Sequence, residues 1–145
     1  MKGVVRALIM VAVVAVTGCK VVPHGAMVAD VSPKGWEPEE VVTLRYDNAD
    51  TTSLTSIHIV ARRECGRDVE PLAVRLRVCA PDSAEVNDVV LLPTRGEKGG
   101  GSFEEVDVLW VEKARLQAGE YTFYLSPQQP AKGLWSVGVE IENRE

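Results

Sequence analysis

Alternation with a period of two runs through most of the chain. Val42, Leu44 and Tyr46 share one parity and Thr43, Arg45 and Asp47 the other, which predicts a strand with one dry and one wet face. Residues 47–53 are polar and turn-like. Ile57, Ile59 and Ala61 then alternate with His58, Val60 and Arg62, and Leu72, Val74, Leu76 and Val78 alternate with Ala73, Arg75, Arg77 and Cys79. Ala80-Pro81-Asp82-Ser83 predicts a turn, and residues 86–92 a strand that Pro93 ends. The run 106–111 is apolar at both parities, Val108 and Trp110 on one and Leu109 and Val111 on the other, so both of its faces are expected to be partly covered. After a turn over 116–119, Tyr121, Phe123 and Leu125 oppose Thr122 and Tyr124. Val137, Val139 and Ile141 oppose Gly138, Glu140 and Glu142, with a polar loop over 126–133 between these last two strands.

Beyond the N-terminal segment no window carries the three-and-four spacing of an amphipathic helix. Seven or eight short strands with no helix to cover them need a second sheet or barrel closure to hide their apolar faces. The expected fold is all-β, a two-sheet β-sandwich with jelly-roll-like connections. If the Ile57 and Leu72 series form one hairpin with a shared buried face, a register near 62 opposite 75 places Arg62 beside Arg75 and His58 beside Cys79. Like charges so placed are splayed into water, joined by a carboxylate, or engaged by an anionic ligand. Cys65 then falls about 23 Å from Cys79 along a regular strand, whereas a disulfide spans α-carbons within about 7 Å. An exported compartment favours oxidation, and a loop folding back is the arrangement that would join them.

The segment MKGVVRALIMVAVVAVTGCK breaks the alternation. Lys2 and Arg6 form a positive n-region and residues 7–16 an apolar run, the pattern of a secretory signal and too short to span a bilayer permanently. It closes on Val16-Thr17-Gly18-Cys19: a branched aliphatic residue, two small residues, and a thiol able to take a diacylglyceryl group. The expectation is a signal peptide over 1–18, lipidation at Cys19 of a bacterial lipoprotein, a flexible tether over 19–34 and a sandwich domain over 35–145. Pro23, Gly25 and Pro33 discourage regular structure in the tether. Two or three acyl chains hold a protein persistently at a membrane.

Charge and chemistry narrow the function by subtraction. Sixteen Lys and Arg stand against 21 Asp and Glu, a net charge of −5, which argues against wholesale electrostatic adhesion to nucleic acid or lipid. No G-x-S-x-G, H-E-x-x-H or C-x-x-C is present, and His24 and His58 are the two imidazoles. His24 has no cysteine, aspartate or second histidine at ligand spacing, and neither a metal nor a cofactor is expected. Gly96 and Gly99-Gly100-Gly101 beside Lys98 lack the Walker order and a following helix. Asp88, Glu104, Glu105 and Asp107 are the carboxylates a glycosidase cleft could draw on, but carboxylate separation decides that chemistry, and a non-enzyme is expected. Trp36, Trp110, Tyr124 and Trp135, with Arg62, Arg75 and Arg77, are the candidate ligand or partner contacts. For Trp36 the first expectation is that it caps an open end of the sandwich, ahead of an exposed binding platform.

Gly35-Trp36 leading into VVTLRY, the Pro81-Asp82 turn, and above all GEYTFYLSPQQPAKGLWSVGVEIE resemble the gliding-motility lipoprotein family GldH of Bacteroidetes. The resemblance runs from about Gly35 to Glu142 and is densest at Gly119, Tyr121, Phe123, Lys132-Gly133 and Val137-Gly138-Val139. It implies a membrane-associated envelope lipoprotein serving surface gliding and its export machinery, with no catalytic residues to carry over. Cys65, Cys79 and the GEKGGG loop depart from it. The expected function is a lipid-anchored, non-catalytic interaction or assembly component with an envelope protein partner, at the outer membrane and facing the periplasm. The alternative is a glycan-binding β-sandwich module, and a carbohydrate-active enzyme comes third.

Overall fold

A computed structural model describes residues 26–64, 71–93 and 103–144. Cys19, His24, Cys65 and the glycine-rich loop of residues 96–101 lie outside these. The described residues contain no helix and eight strands: β1 Ala26–Asp30, β2 Val42–Asn48, β3 Leu54–Glu64, β4 Leu72–Cys79, β5 Glu85–Leu92, β6 Phe103–Ala114, β7 Gly119–Pro127 and β8 Leu134–Arg144. They form two antiparallel four-stranded sheets, ordered β1-β8-β3-β6 and β2-β7-β4-β5. Successive strands change sheet at every step except the β4–β5 hairpin. This is the jelly-roll connection, in which strands distant in sequence become neighbours.

The parity read from sequence is the parity of burial. Leu44 and Tyr46 of β2, Ile57, Ile59 and Ala61 of β3, Val74, Leu76 and Val78 of β4, Tyr121, Phe123 and Leu125 of β7 and Val137, Val139 and Ile141 of β8 all point into the interior. Each buried Val, Leu, Ile or Phe among them contributes about 1.5–3 kcal/mol, and the two inner faces have only each other to pack against. Strand β6 is longer than its apolar run, because Glu104 continues the inward parity of Val106 despite being charged. Irregular register against β3 occurs between Thr55 and Ile57 and between Ile57 and His58. Near it Lys113 adopts a left-handed φ of 55°. That bulge brings Val111 opposite Ile57, the reason the apolar run shows both parities.

Two expectations are corrected. Residues 57–64 and 72–79 do not form a hairpin: β3 pairs with β6 and β8, and β4 with β5 and β7, in different sheets. Arg62 therefore lies opposite Glu105 and Ser136, Arg75 opposite Val89 and Ser126, His58 opposite Glu140 and Leu109, and Cys79 opposite Glu85 and Thr122. Matching alternation made the two strands compatible, but the jelly-roll crossover separates them. The stretch expected as tether also contributes structure, because Ala26–Asp30 adds to the edge of β8 as β1 and buries Met27. Gly138 on β8 makes that docking close. A Cβ there would lie 2.2 Å from the Met27 carbonyl oxygen and 2.9 Å from Val28 Cα.

Candidate functional site

The outer face of the β2-β7-β4-β5 sheet holds a shallow groove of about 410 Å³. Alternation along β4 sends Arg75 and Arg77 to this face, β7 sends Tyr124 and Ser126, and β5 sends Asn87 and Val89. All six line the groove with Val41 and Asp88. The Arg77 guanidinium carbon lies 4.2 Å from the centre of the Tyr124 ring, a cation–π contact that holds both side chains flat on the sheet. Arg77 Nη1 also donates to Glu85 Oε2 at 3.0 Å, and this hydrogen bond, before that from Asn87, holds the Glu85 carboxyl below its ordinary pKa. Arg75 has no carboxylate within salt-bridge distance among the described residues. Asp88 is already engaged: the Trp110 indole N–H donates to its Oδ2 at 2.9 Å and the Val89 amide to its Oδ1 at 2.8 Å. Those two bonds, the indole first, lower its pKa.

The outer face of the other sheet is built differently. His58 of β3 is flanked by β6 and β8. Its Nδ1 lies 2.6 Å from Asp107 Oδ1 and its Nε2 3.3 Å from Glu142 Oε1. Glu140 is its cross-strand partner, and one ligating atom each from His58, Asp107 and Glu140 falls within 4.8 Å of the others. Burial lowers the His58 pKa, but the hydrogen bond and charge of Asp107, with Glu142 and Glu140, outweigh it and leave the pKa raised. Beside the cluster runs a trough of about 500 Å³ lined by Val28, Asp30, Val60, Arg62, Ser136 and Glu140 among others. Arg62 Nη2 meets Glu105 Oε2 at 3.0 Å across it.

A buried charge pair lies in the interior between the faces. Arg63 and Glu104 stand opposite each other on β3 and β6, both almost wholly buried. Arg63 Nη1 reaches the Leu92 carbonyl at 3.4 Å. Burial pulls the Arg63 pKa down and the charge of Glu104 opposes that. Arg63 also lines a polar pocket of about 320 Å³ with Gln128, Gln129 and Lys132.

The candidate contacts thus scatter. Trp36 is only 2 % exposed, in an isolated bridge with Ala131 and with its indole N–H donating to the Glu40 carbonyl at 2.7 Å. It closes the core and offers no contact surface. Trp110 spans the sheets at their β5–β6 edge, where it braces Asp88. Trp135, 40 % exposed, packs edge-on against Phe103 with ring centres 5.1 Å apart. Arg62 belongs to the opposite sheet from Arg75, Arg77 and Tyr124, the three candidates that converge. The four carboxylates considered for a cleft also separate: Glu104 points inward, Glu105 and Asp107 outward from the same strand, and Asp88 lies on the other sheet. The His58 cluster was missed because its members are remote in sequence, 49 residues from His58 to Asp107. No local spacing signals it.

No protein-family model matches the chain, and no curated protein does. Among solved structures, similarity is found to a GH115 4-O-methyl-α-glucuronidase with specificity for decorated arabinogalactans, at 11 % identity and TM-score 0.43 over 82 % of this chain and 14 % of that one. A CBM4 structure is similar at 10 % identity and TM-score 0.37, over 82 % of this chain and 84 % of that one. A carbohydrate-binding module of the β-sandwich superfamily, described for promiscuous specificity, is similar at 14 % identity and TM-score 0.38, over 86 % of this chain and 55 % of that one. At these scores the likenesses assign no activity, and a shared sandwich does not carry function with it.

Proposed function

We propose that the protein is a non-catalytic glycan-recognition module that seats an acidic sugar in the groove on the β2-β7-β4-β5 sheet. The observation that carries this reading is Arg75, unpaired among the described residues, beside the Arg77–Tyr124 stack in an open groove that also offers Asn87 and Ser126. A uronate or sulfated sugar presents what this surface complements. Its anion matches a planar guanidinium, its hydroxyls match the amide and hydroxyl, and its apolar ring edge matches Val41 and Val89. The shallow, open form suits a polymer passing across a sheet. Affinity electrophoresis through gels containing polygalacturonate or neutral galactan tests it. The expected result is retardation by the acidic polymer, lost in Arg75→Ala and Tyr124→Ala; equal mobility of parent and variants in every gel overturns it.

A second reading rests on the sequence of residues 1–19 and concerns place. In it a lipid on Cys19 holds the sandwich at the outer membrane, facing the periplasm, where an envelope protein partner of the kind implied by the GldH resemblance meets it. The apolar run ending in Val16-Thr17-Gly18-Cys19 supports the anchor. Cys19→Ser replaces the thiol by a poor nucleophile. Labelling with a fatty-acid analogue is expected to mark the parent and not the variant, and equal label in both overturns the anchor. Digestion by protease added to intact cells overturns the periplasmic orientation.

A further inference from the structure

The His58 cluster lies on the opposite face from the groove and has no part in the reading above. We propose that His58, Asp107 and Glu140 form a binding site for a divalent transition-metal ion, Zn²⁺ foremost, with Glu142 positioning the imidazole.

Four observations converge. First, the three ligating atoms already lie within 4.8 Å of one another, so small side-chain rotations bring them to the 2.0–2.2 Å of zinc–nitrogen and zinc–oxygen bonds. Second, the imidazole is held from both sides: Nδ1 faces Asp107 at 2.6 Å and Nε2 faces Glu142 at 3.3 Å. A carboxylate on the nitrogen that does not ligate is the arrangement that fixes the tautomer of metal-binding histidines. With the metal on Nδ1, the Nε2–H donates to Glu142. Third, the ligands stand on three adjacent hydrogen-bonded strands, β6, β3 and β8, so the backbone spacing is set by the sheet rather than by loops. Fourth, Asp107 and Glu140 both line the 500 Å³ trough, which leaves room for water in the remaining coordination positions.

The donor set selects the metal. One imidazole nitrogen with two carboxylates suits zinc and its neighbours, whereas calcium and magnesium prefer all-oxygen shells. Arg62, paired with Glu105, lines the same trough.

Isothermal titration of the chelator-stripped full chain with zinc chloride tests the site. One Zn²⁺ per chain is expected, with affinity reduced at least tenfold by His58→Ala and by Asp107→Asn, and about tenfold by Glu142→Gln. His24→Ala is expected to change nothing. Asp107 is 52 % exposed, so its variant reports on the site even if His58→Ala folds poorly. Absent stoichiometric binding, unchanged affinity in Asp107→Asn, or loss in His24→Ala each overturns the site. Unchanged affinity in Glu142→Gln overturns its positioning role, and displacement of Zn²⁺ by equimolar Ca²⁺ overturns the choice of metal.

Discussion

On the outer face of one sheet the central strands present Arg75, Arg77, Tyr124 and Ser126; on the other they present His58, Arg62, Ser136, Gly138 and Glu140. The first face offers guanidinium groups, one of them without a carboxylate partner among the described residues, and the second gathers carboxylates around one imidazole. A net charge of −5 describes neither. The acidic balance argued against broad adhesion to polyanions, but the fold gathers Arg75 and Arg77 in one groove beside Asp88, and His58 among carboxylates on the opposite sheet. An acidic protein can therefore present a cationic groove on one side and a cation-attracting cluster on the other. What the two faces share is the interior behind them.

The largest expected effect comes from breaking that interior. Glu104→Ala leaves the Arg63 guanidinium buried without its opposing charge, which costs about 3–5 kcal/mol; the check is urea unfolding, and the loss should fall on both faces' binding together. Next comes Gly138→Val. The added side chain meets the Met27 carbonyl and Val28, and overpacking of this kind costs about 1–3 kcal/mol. It should loosen β1 and disturb the trough while sparing the groove, seen as faster amide exchange confined to β1 and β8. Arg75→Ala acts on one face alone. Retention by an acidic polysaccharide should fall at least tenfold, about 1.4 kcal/mol, with unfolding unchanged within about 0.5 kcal/mol as for other surface substitutions.

The smallest effect is a pH dependence at the edge joining the sheets. Asp88 has its pKa depressed in the fold, so its contribution is fully present above the unfolded carboxylate value of about 3.9. It is lost as pH falls through the lower folded value. Indole emission should change below about pH 4 in the parent, and this component should vanish in Trp110→Phe, since Trp36 and Trp135 have other partners.

The sequence by itself determined which residues face inward. Val74, Leu76 and Val78, or Tyr121, Phe123 and Leu125, announce their burial because side-chain direction in a strand alternates residue by residue and needs only local chain to read. The absence of any helical period then called for two sheets. Three things were legible only partly or not at all. Ala26–Asp30 has too short an apolar pattern to declare itself a strand and becomes one through β8. Glu104 hides the length of β6 because its inward direction is tolerable only with Arg63 opposite. Arg62 and Arg75, each on the outward face of its strand, suit neighbouring positions in one hairpin, yet lie on opposite sheets. Sheet membership and register are fixed by pairing between segments far apart in the chain, and alternation is the same whichever partner a strand takes. For that reason His58, Asp107, Glu140 and Glu142 could each be read as solvated residues of a sheet, and only the tertiary structure decided that they meet.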